Sequence, residues 1–228
     1  MIVDRQHRFV FVAVPKTGST AMHDAFERSL GVRIPHGREL DYHATAREVA
    51  VRLGDRWPEF FSIAFVRNPY ARFASAYNDF RFARRGARAI DLAFEEFCRA
   101  FPGSRWEHVV HFRPQWEFIA DEADRMLVSF LGRTERVTQD WERLRPHLPF
   151  QLKSLRRLDV HTRRPYPEEW RRMSLRAKWD KLLTIVRGRI RPRRGRALLE
   201  MYDDRRAREL VREYYEKDFR SLGYPTEL

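Results

Sequence analysis

Three apolar stretches stand out along the chain, at residues 9–14, 61–66 and 126–131. The first two are rich in phenylalanine and valine and do not alternate apolar with polar residues, as a strand with one solvent-facing side would. This pattern is typical of strands buried on both faces of a parallel sheet. The third stretch predicts a further strand.

Helical periodicity fills the sequence between and after these stretches, with apolar residues recurring at three- and four-residue steps. The predicted helices span residues 20–30, 44–53, 70–84, 92–100, 113–120 and 203–218. Gly31 and Gly54 follow the first two helices, in the position where glycine commonly ends a helix. The alternation of strands and helices predicts α/β layers.

The length of 228 residues suits a single domain, residues 1–228, with a basic excursion near residues 166–196. Within it, six of the ten residues from 187 to 196 are arginine. We interpret this arginine segment as a solvated basic surface, with contact to an acidic substrate or an anionic membrane as the alternative. The net charge of +13 predicts anionic partners, and charge does not choose among nucleic acid, lipid, acidic glycan and a phosphate-rich cofactor.

Cysteine usage and the lack of a long apolar segment indicate the compartment. Cys98 is the single cysteine, so no intrachain disulfide can form and a cytoplasmic setting is expected. The apolar run at residues 9–14 is too short for a signal peptide or a membrane span. No CxxC or HExxH spacing occurs, so we predict no metal site.

The segment at residues 15–20, Pro-Lys-Thr-Gly-Ser-Thr, lies where the first predicted strand turns into a helix. Backbone N–H groups and hydroxyls at such a turn can converge on an oxyanion. The lysine precedes the glycine, so the segment does not match the P-loop of nucleoside triphosphatases. An ordinary turn with a serine N-cap is the alternative.

A second segment, residues 65–77, repeats this strand-to-helix arrangement. Arg67 follows the second buried strand, and Ser75 lies two turns into the next helix, so both could reach one phosphate at the edge of the sheet. The guanidinium of arginine suits a phosphate monoester. The alternative makes Arg67 a surface ion-pair residue and Ser75 a small packing residue.

Together, these two segments resemble the carbohydrate sulfotransferases that use 3′-phosphoadenosine 5′-phosphosulfate (PAPS), relatives of the enzymes that modify heparan, dermatan and chondroitin chains. Similarity extends to residues 111–115, 131–135 and 215–224, whereas residues 166–196 match nothing in the family. The resemblance implies a P-loop-like, three-layer α/β/α fold with a central parallel sheet. It further implies transfer of a sulfuryl group from PAPS to a carbohydrate or glycoconjugate hydroxyl, leaving 3′-phosphoadenosine 5′-phosphate (PAP), with no metal and no nucleic-acid partner. The Golgi relatives carry a membrane anchor and paired cysteines that this chain lacks, so it resembles a soluble bacterial-type member.

The resemblance also implies roles for individual residues. The residues that would bind the 5′-phosphosulfate are Lys16, Thr17, Gly18, Ser19 and Thr20. The 3′-phosphate would be bound by Arg67 and Ser75. Arg163, in a late loop with Thr162 and Arg164, is expected to close over the adenosine bisphosphate, with a solvated basic run as the alternative.

Catalysis would then need a group for the leaving phosphate and a base for the acceptor hydroxyl. Lys16 is expected to stabilise the departing PAP. His43 is the candidate base, because it lies between the two cofactor segments and histidine titrates near neutral pH. A capping or structural role just before a helix is the alternative for His43. His111 is the rival base, and otherwise His111 and Arg113 are expected to contact the substrate.

Two other functions fit the same residues. A nucleotide kinase would explain a lysine at a phosphate-binding loop, although the P-loop spacing is missing. A non-catalytic basic module could hold PAP, nucleic acid or an acidic glycan without turnover. Dependence of binding on the 3′-phosphate separates these functions, because a kinase would prefer ATP.

Overall fold

The computed structural model describes residues 1–32, 42–82, 90–156 and 198–228; the predicted basic excursion near 166–196 lies outside them. Four strands form one sheet in the order β1-β2-β3-β4. Their bounds are β1 Ile2–Asp4, β2 Phe9–Val12, β3 Phe61–Val66 and β4 Phe130–Arg133. Strands β2, β3 and β4 are parallel, which confirms the predicted central sheet, and β1 adds an antiparallel edge.

Helices connect the strands and cover both faces of the sheet. They are α1 Ser19–Leu30, α2 Ala46–Leu53, α3 Pro69–Phe82, α4 Phe94–Ala100, α5 Trp116–Ile119, α6 Val137–Leu144, α7 Arg205–Tyr214 and α8 Glu216–Leu222. Short 3-10 helices lie at Gly54–Glu59, Arg105–His108, Thr134–Arg136 and Arg145–His147. In the described part of the chain, no helix combines the length and apolar character needed to cross a membrane.

Strands β2 and β3 are buried on both faces, which explains why their residues do not alternate in polarity. Val10, Val12 and Val66 point into one core cluster, formed with α2 to α5, α7 and α8. Phe11 and Phe65 point into the other, formed with α1 and α6. The predicted three-layer α/β/α architecture is therefore confirmed.

The strand predicted at residues 126–131 was placed too early. Met126 instead forms an antiparallel bridge with Ala120, and the amide of Leu127 donates to Ile119 O at 2.7 Å. Met126 and Leu127 therefore pair with the end of α5 and not with β3. The parallel ladder with β3 begins only at Phe130.

Two helix predictions also need correction, both because of side chains from other parts of the chain. The helix predicted over residues 113–120 starts at Trp116, since the Asp218 carboxylate accepts the amides of Gln115 and Trp116 at 2.8 Å each and takes the place of a preceding helical turn. The helix predicted over residues 203–218 is two helices that meet at Tyr215. Tyr215 is fully buried and its hydroxyl donates to Phe112 O.

Candidate active site

The loop between β2 and α1 has an unusual backbone conformation. Lys16 has a φ of 66° and Gly18 has a φ of 82°, so both lie in the left-handed region. This conformation costs a non-glycine residue about 1–2 kcal/mol, so neighbouring contacts must hold Lys16 in place. Thr17 provides them: its hydroxyl donates to Val14 O at 2.9 Å, and its carbonyl accepts from Thr134 Oγ1 at 2.9 Å.

The N-terminus of α1 faces the end of this loop. Gly18 is the N-cap and makes no side-chain cap, so the alternative of a serine N-cap is wrong. The first amide bonded back to Gly18 O is that of Ala21, at 3.0 Å, so the amides of Ser19 and Thr20 precede the first helical hydrogen bond. Such amides, beside left-handed loop residues, form a concave surface that favours an anion.

Arg67 lies at the carboxyl end of β3 and contacts the loop directly. Its Nη1 donates to Lys16 O at 3.3 Å. The Gln115 side chain fixes its backbone by accepting the Arg67 amide and donating to the Arg67 carbonyl, both at 2.8 Å. Burial lowers the pKa of Arg67. The structure therefore brings together the arginine and the loop that the sequence singled out.

One face of α3 packs against the same loop. Arg72, which is fully buried, donates from Nε to Pro15 O at 3.0 Å. Two turns further along, Asp79 Oδ2 lies 3.5 Å from Lys16 Nζ. Ser75 follows Arg72 by three positions and precedes Asp79 by four, so all three lie on one helix face. Ser75 is half-buried on the side of α3 that contacts the loop.

His43 lies beside the start of the loop, with Nδ1 2.6 Å from Ala13 O. A carbonyl oxygen can only accept, so Nδ1 carries the proton and Nε2 keeps its lone pair. Burial lowers the pKa of His43 to about 4, and the positive charges of Arg72 and Lys16 act in the same direction. The imidazole is therefore neutral near pH 7 and can accept a proton at Nε2.

The other predicted residues occupy different places. The His111 ring packs edge-to-face on the His43 ring, with centroids 5.3 Å apart. The Arg113 carbonyl accepts from Arg72 Nη2 at 2.6 Å, whereas the Arg113 guanidinium pairs with Glu117 at 2.6 Å. The structure thus groups His111 with His43 and directs the Arg113 side chain along α5. The predicted nucleotide-binding residues Thr162, Arg163 and Arg164 lie outside the described part of the chain.

Residues near the carboxyl end of the described chain hold the side chains that support Arg67 and Asn68. Tyr224 donates from its hydroxyl to Glu135 Oε2 at 2.9 Å, and Glu135 Oε1 accepts the Asn68 amide at 2.6 Å, directly after Arg67. Asp218 is fully buried beneath Gln115. Burial raises the pKa of Asp218, and the charge of Arg72 opposes that shift.

Sequence reasoning did not single out Arg72, Asp79, Gln115 or Thr134. Arg72 and Asp79 could have been found, because they share a helix face with Ser75 at three- and four-residue spacing. Gln115 and Thr134 lie in segments that resemble the family, but nothing in their spacing shows that they hold backbone groups of the loop and of Arg67.

In a comparison with protein families, the model described as "Sulfotransferase family" matches residues 1–225. Comparison with curated proteins and with solved structures gives no match. The matched range contains the loop, Arg67, His43 and the closing contacts of Tyr224.

Proposed function

The chain belongs to the sulfotransferase family, and we propose that it transfers a sulfuryl group from PAPS to a hydroxyl group of a carbohydrate or glycoconjugate. One observation carries the proposal: Arg67 Nη1 donates to Lys16 O at 3.3 Å, so the two elements that are suited to binding anions adjoin. PAPS has anionic groups at both its 3′ and 5′ positions. A site for it therefore needs two such elements side by side.

The residues present fit this donor. The left-handed backbone at Lys16 and Gly18 opens the loop toward the N-terminus of α1, where amides and the helix dipole favour a phosphate. We propose that the loop residues bind the 5′-phosphosulfate, and that Arg67 and Ser75 bind the 3′-phosphate. A half-buried guanidinium supports that role, because an anion restores part of the solvation that Arg67 has lost. When bound, PAPS supplies the sulfuryl group and leaves as PAP.

Two side chains of the protein would carry the transfer. His43 Nε2 receives the proton of the acceptor hydroxyl, since its tautomer is fixed by the bond from Nδ1 to Ala13 O. Lys16 Nζ offsets the negative charge that grows on the leaving phosphate. His111 orients the His43 ring through their edge-to-face contact.

The amino-acid composition supports proposals on the partners and the location of the protein. The net charge of +13 supports anionic partners, which suits both a phosphate-rich donor and an acidic glycan. We propose a cytoplasmic location, because the single cysteine of the sequence, Cys98, is a buried free thiol.

Calorimetric binding of PAP, ADP and ATP tests the donor. We expect the wild type to prefer PAP, and we expect Arg67→Ala to lose that preference. Arg52→Ala, which removes one exposed arginine from the last turn of α2, is the matched control and should bind PAP as the wild type does. Equal or tighter binding of ATP would overturn the proposal in favour of a kinase. Absence of any mononucleotide preference, with a steep salt dependence, would favour a nucleic-acid-binding module.

Acceptor identity is then tested by transfer of labelled sulfate from PAPS. Polysaccharides, glycolipids and small glycosides form the panel, with Lys16→Ala as the control that should bind PAP yet transfer far more slowly. If the protein binds PAP but transfers sulfate to no hydroxyl compound, the proposed enzymatic function is wrong and a binding function is favoured.

A further inference from the structure

A buried carboxylate contacts the lysine of the loop. Asp79 Oδ2 lies 3.5 Å from Lys16 Nζ, and the two side chains are 6% and 19% exposed, respectively. We propose that Asp79 is a positioning residue that aims the Lys16 ammonium at the leaving phosphate. This inference rests on the proposed function, in which Lys16 acts on that group.

The position of Asp79 is fixed by the rest of α3. Asn68 Oδ1 accepts the amides of Tyr70 and Ala71, at 3.0 and 3.3 Å, and so caps the helix. Arg72 ties the same helix to Pro15 O, at 3.0 Å, and to Arg113 O, at 2.6 Å. The carboxylate is therefore attached to a rigid element at a set distance from the loop.

Lys16 needs such a partner more than an arginine would. Its ammonium ends a flexible four-carbon stem that can adopt many rotamers. Contact with Asp79 restricts that freedom before any ligand arrives. An ammonium has three N–H groups, so the contact with the carboxylate does not use its whole capacity to donate. The pair therefore orients Lys16 without blocking it.

Stability alone does not explain a carboxylate at this place. A buried ion pair gains little net stability, because desolvation offsets the attraction. The negative charge of Asp79 also repels an anionic ligand at the adjacent loop. Removing the charge of Asp79 should accordingly slow the transfer step without weakening ligand binding.

Asp79→Asn tests the proposal, since it keeps the shape of the side chain and removes the charge. We expect PAP binding, measured by calorimetry, to be as tight as in the wild type or tighter. We expect single-turnover transfer of labelled sulfate to slow by on the order of 10- to 100-fold, the usual effect of misplacing a catalytic group by about 1 Å. Asp91→Asn, which alters a carboxylate that is 100% exposed, is the control and should leave both unchanged.

A double substitution shows whether Asp79 acts through Lys16. In the Lys16→Ala background, Asp79→Asn should slow transfer no further, because the ammonium that it orients is gone. A full additional loss there, or a PAP affinity that falls in parallel with the rate, would overturn the proposal. If Asp79→Asn does not fold, Asp79→Glu keeps the charge and moves the carboxylate, and it should slow transfer while leaving PAP affinity unchanged.

The same data separate this inference from the proposed function. If the wild-type protein does not bind PAP, both the proposed function and the role of Asp79 are overturned. A wild type that binds PAP and transfers sulfate, with an Asp79→Asn variant of equal rate, would remove the role of Asp79 alone.

Discussion

Arg67 and Gln115 are joined by two reciprocal hydrogen bonds, each 2.8 Å long: the Arg67 amide donates to Gln115 Oε1, and Gln115 Nε2 donates to the Arg67 carbonyl. The Gln115 side chain is fully buried and also lies 3.3 Å from Asp218. The arginine that follows β3 is therefore positioned at its backbone by a side chain from a distant loop, so its guanidinium is presented at a defined place.

Gln115→Ala should lower both PAP affinity and stability. Removing the amide leaves the N–H and C=O groups of Arg67 without their partner, and each such buried group costs about 1–3 kcal/mol. Urea unfolding measures the stability, and calorimetry measures PAP binding. Gln139→Ala, in an exposed position of α6, is the matched control. Loss of stability with unchanged PAP affinity would show that Gln115 does not position Arg67.

His43→Asn should slow sulfate transfer by about 10²- to 10⁴-fold, which is the usual contribution of a general base. The pKa of His43 is lowered to about 4, and only the deprotonated imidazole can accept a proton. The wild-type rate should thus persist through pH 5 and fall as the pH falls through about 4. The pH profile of single-turnover transfer measures this. A near-normal rate in His43→Asn together with a large loss in His111→Asn would assign the base to His111.

The lowered pKa of His43 also links folding to pH. In the unfolded chain this histidine has its ordinary value near 6.5, so below that pH the unfolded state binds the extra proton first. Stability is therefore fully present above pH 6.5 and declines as the pH falls toward 4. We expect the wild type to lose about 2 kcal/mol between pH 7 and pH 5 relative to His43→Asn. Urea unfolding of both proteins at each pH checks this, and parallel curves would contradict it.

Gly132→Ala should destabilise the sheet. Gly132 pairs with Phe65 across β3 and β4, and a Cβ atom added there would overlap the Phe65 ring. Overpacking of this kind costs about 1–3 kcal/mol in a tight core. Urea unfolding measures the change, with Phe65→Leu as the control. The double variant should lose less than the sum of the two single changes, and strict additivity would show that the ring is not the obstacle.

Burial on both faces made the centre of the fold predictable. Strands β2 and β3 carry unbroken apolar runs because each face packs on a helical layer, and α3 shows its periodicity for the same reason. Strand β1 has three residues, too few to form a pattern. The start of β4 was wrong because Met126 pairs with Ala120, a choice that apolar character alone does not reveal.

The candidate site also contains residues that the local sequence pattern predicted and residues that it did not. The loop at 15–20 and Arg67 were recognisable because residues after buried parallel strands meet at one edge of the sheet. The supporting contacts depend on which distant side chains meet after folding. Asp79 reaches Lys16 across the space between α3 and the loop, and Gln115 reaches Arg67 from a separate segment. Local sequence patterns do not predict such tertiary contacts.

The closing contacts of Asp218 and Tyr224 have a consequence for synthesis on the ribosome. Asp218 holds Gln115, which holds Arg67, and Tyr224 holds Glu135 beside Asn68. A nascent chain can form β2, β3 and the loop early, yet it lacks both supports until residues 215–224 have emerged from the exit tunnel. The loop and Arg67 therefore reach their supported arrangement only after residues 215–224 have been made, although β2, β3 and the loop itself are synthesised long before.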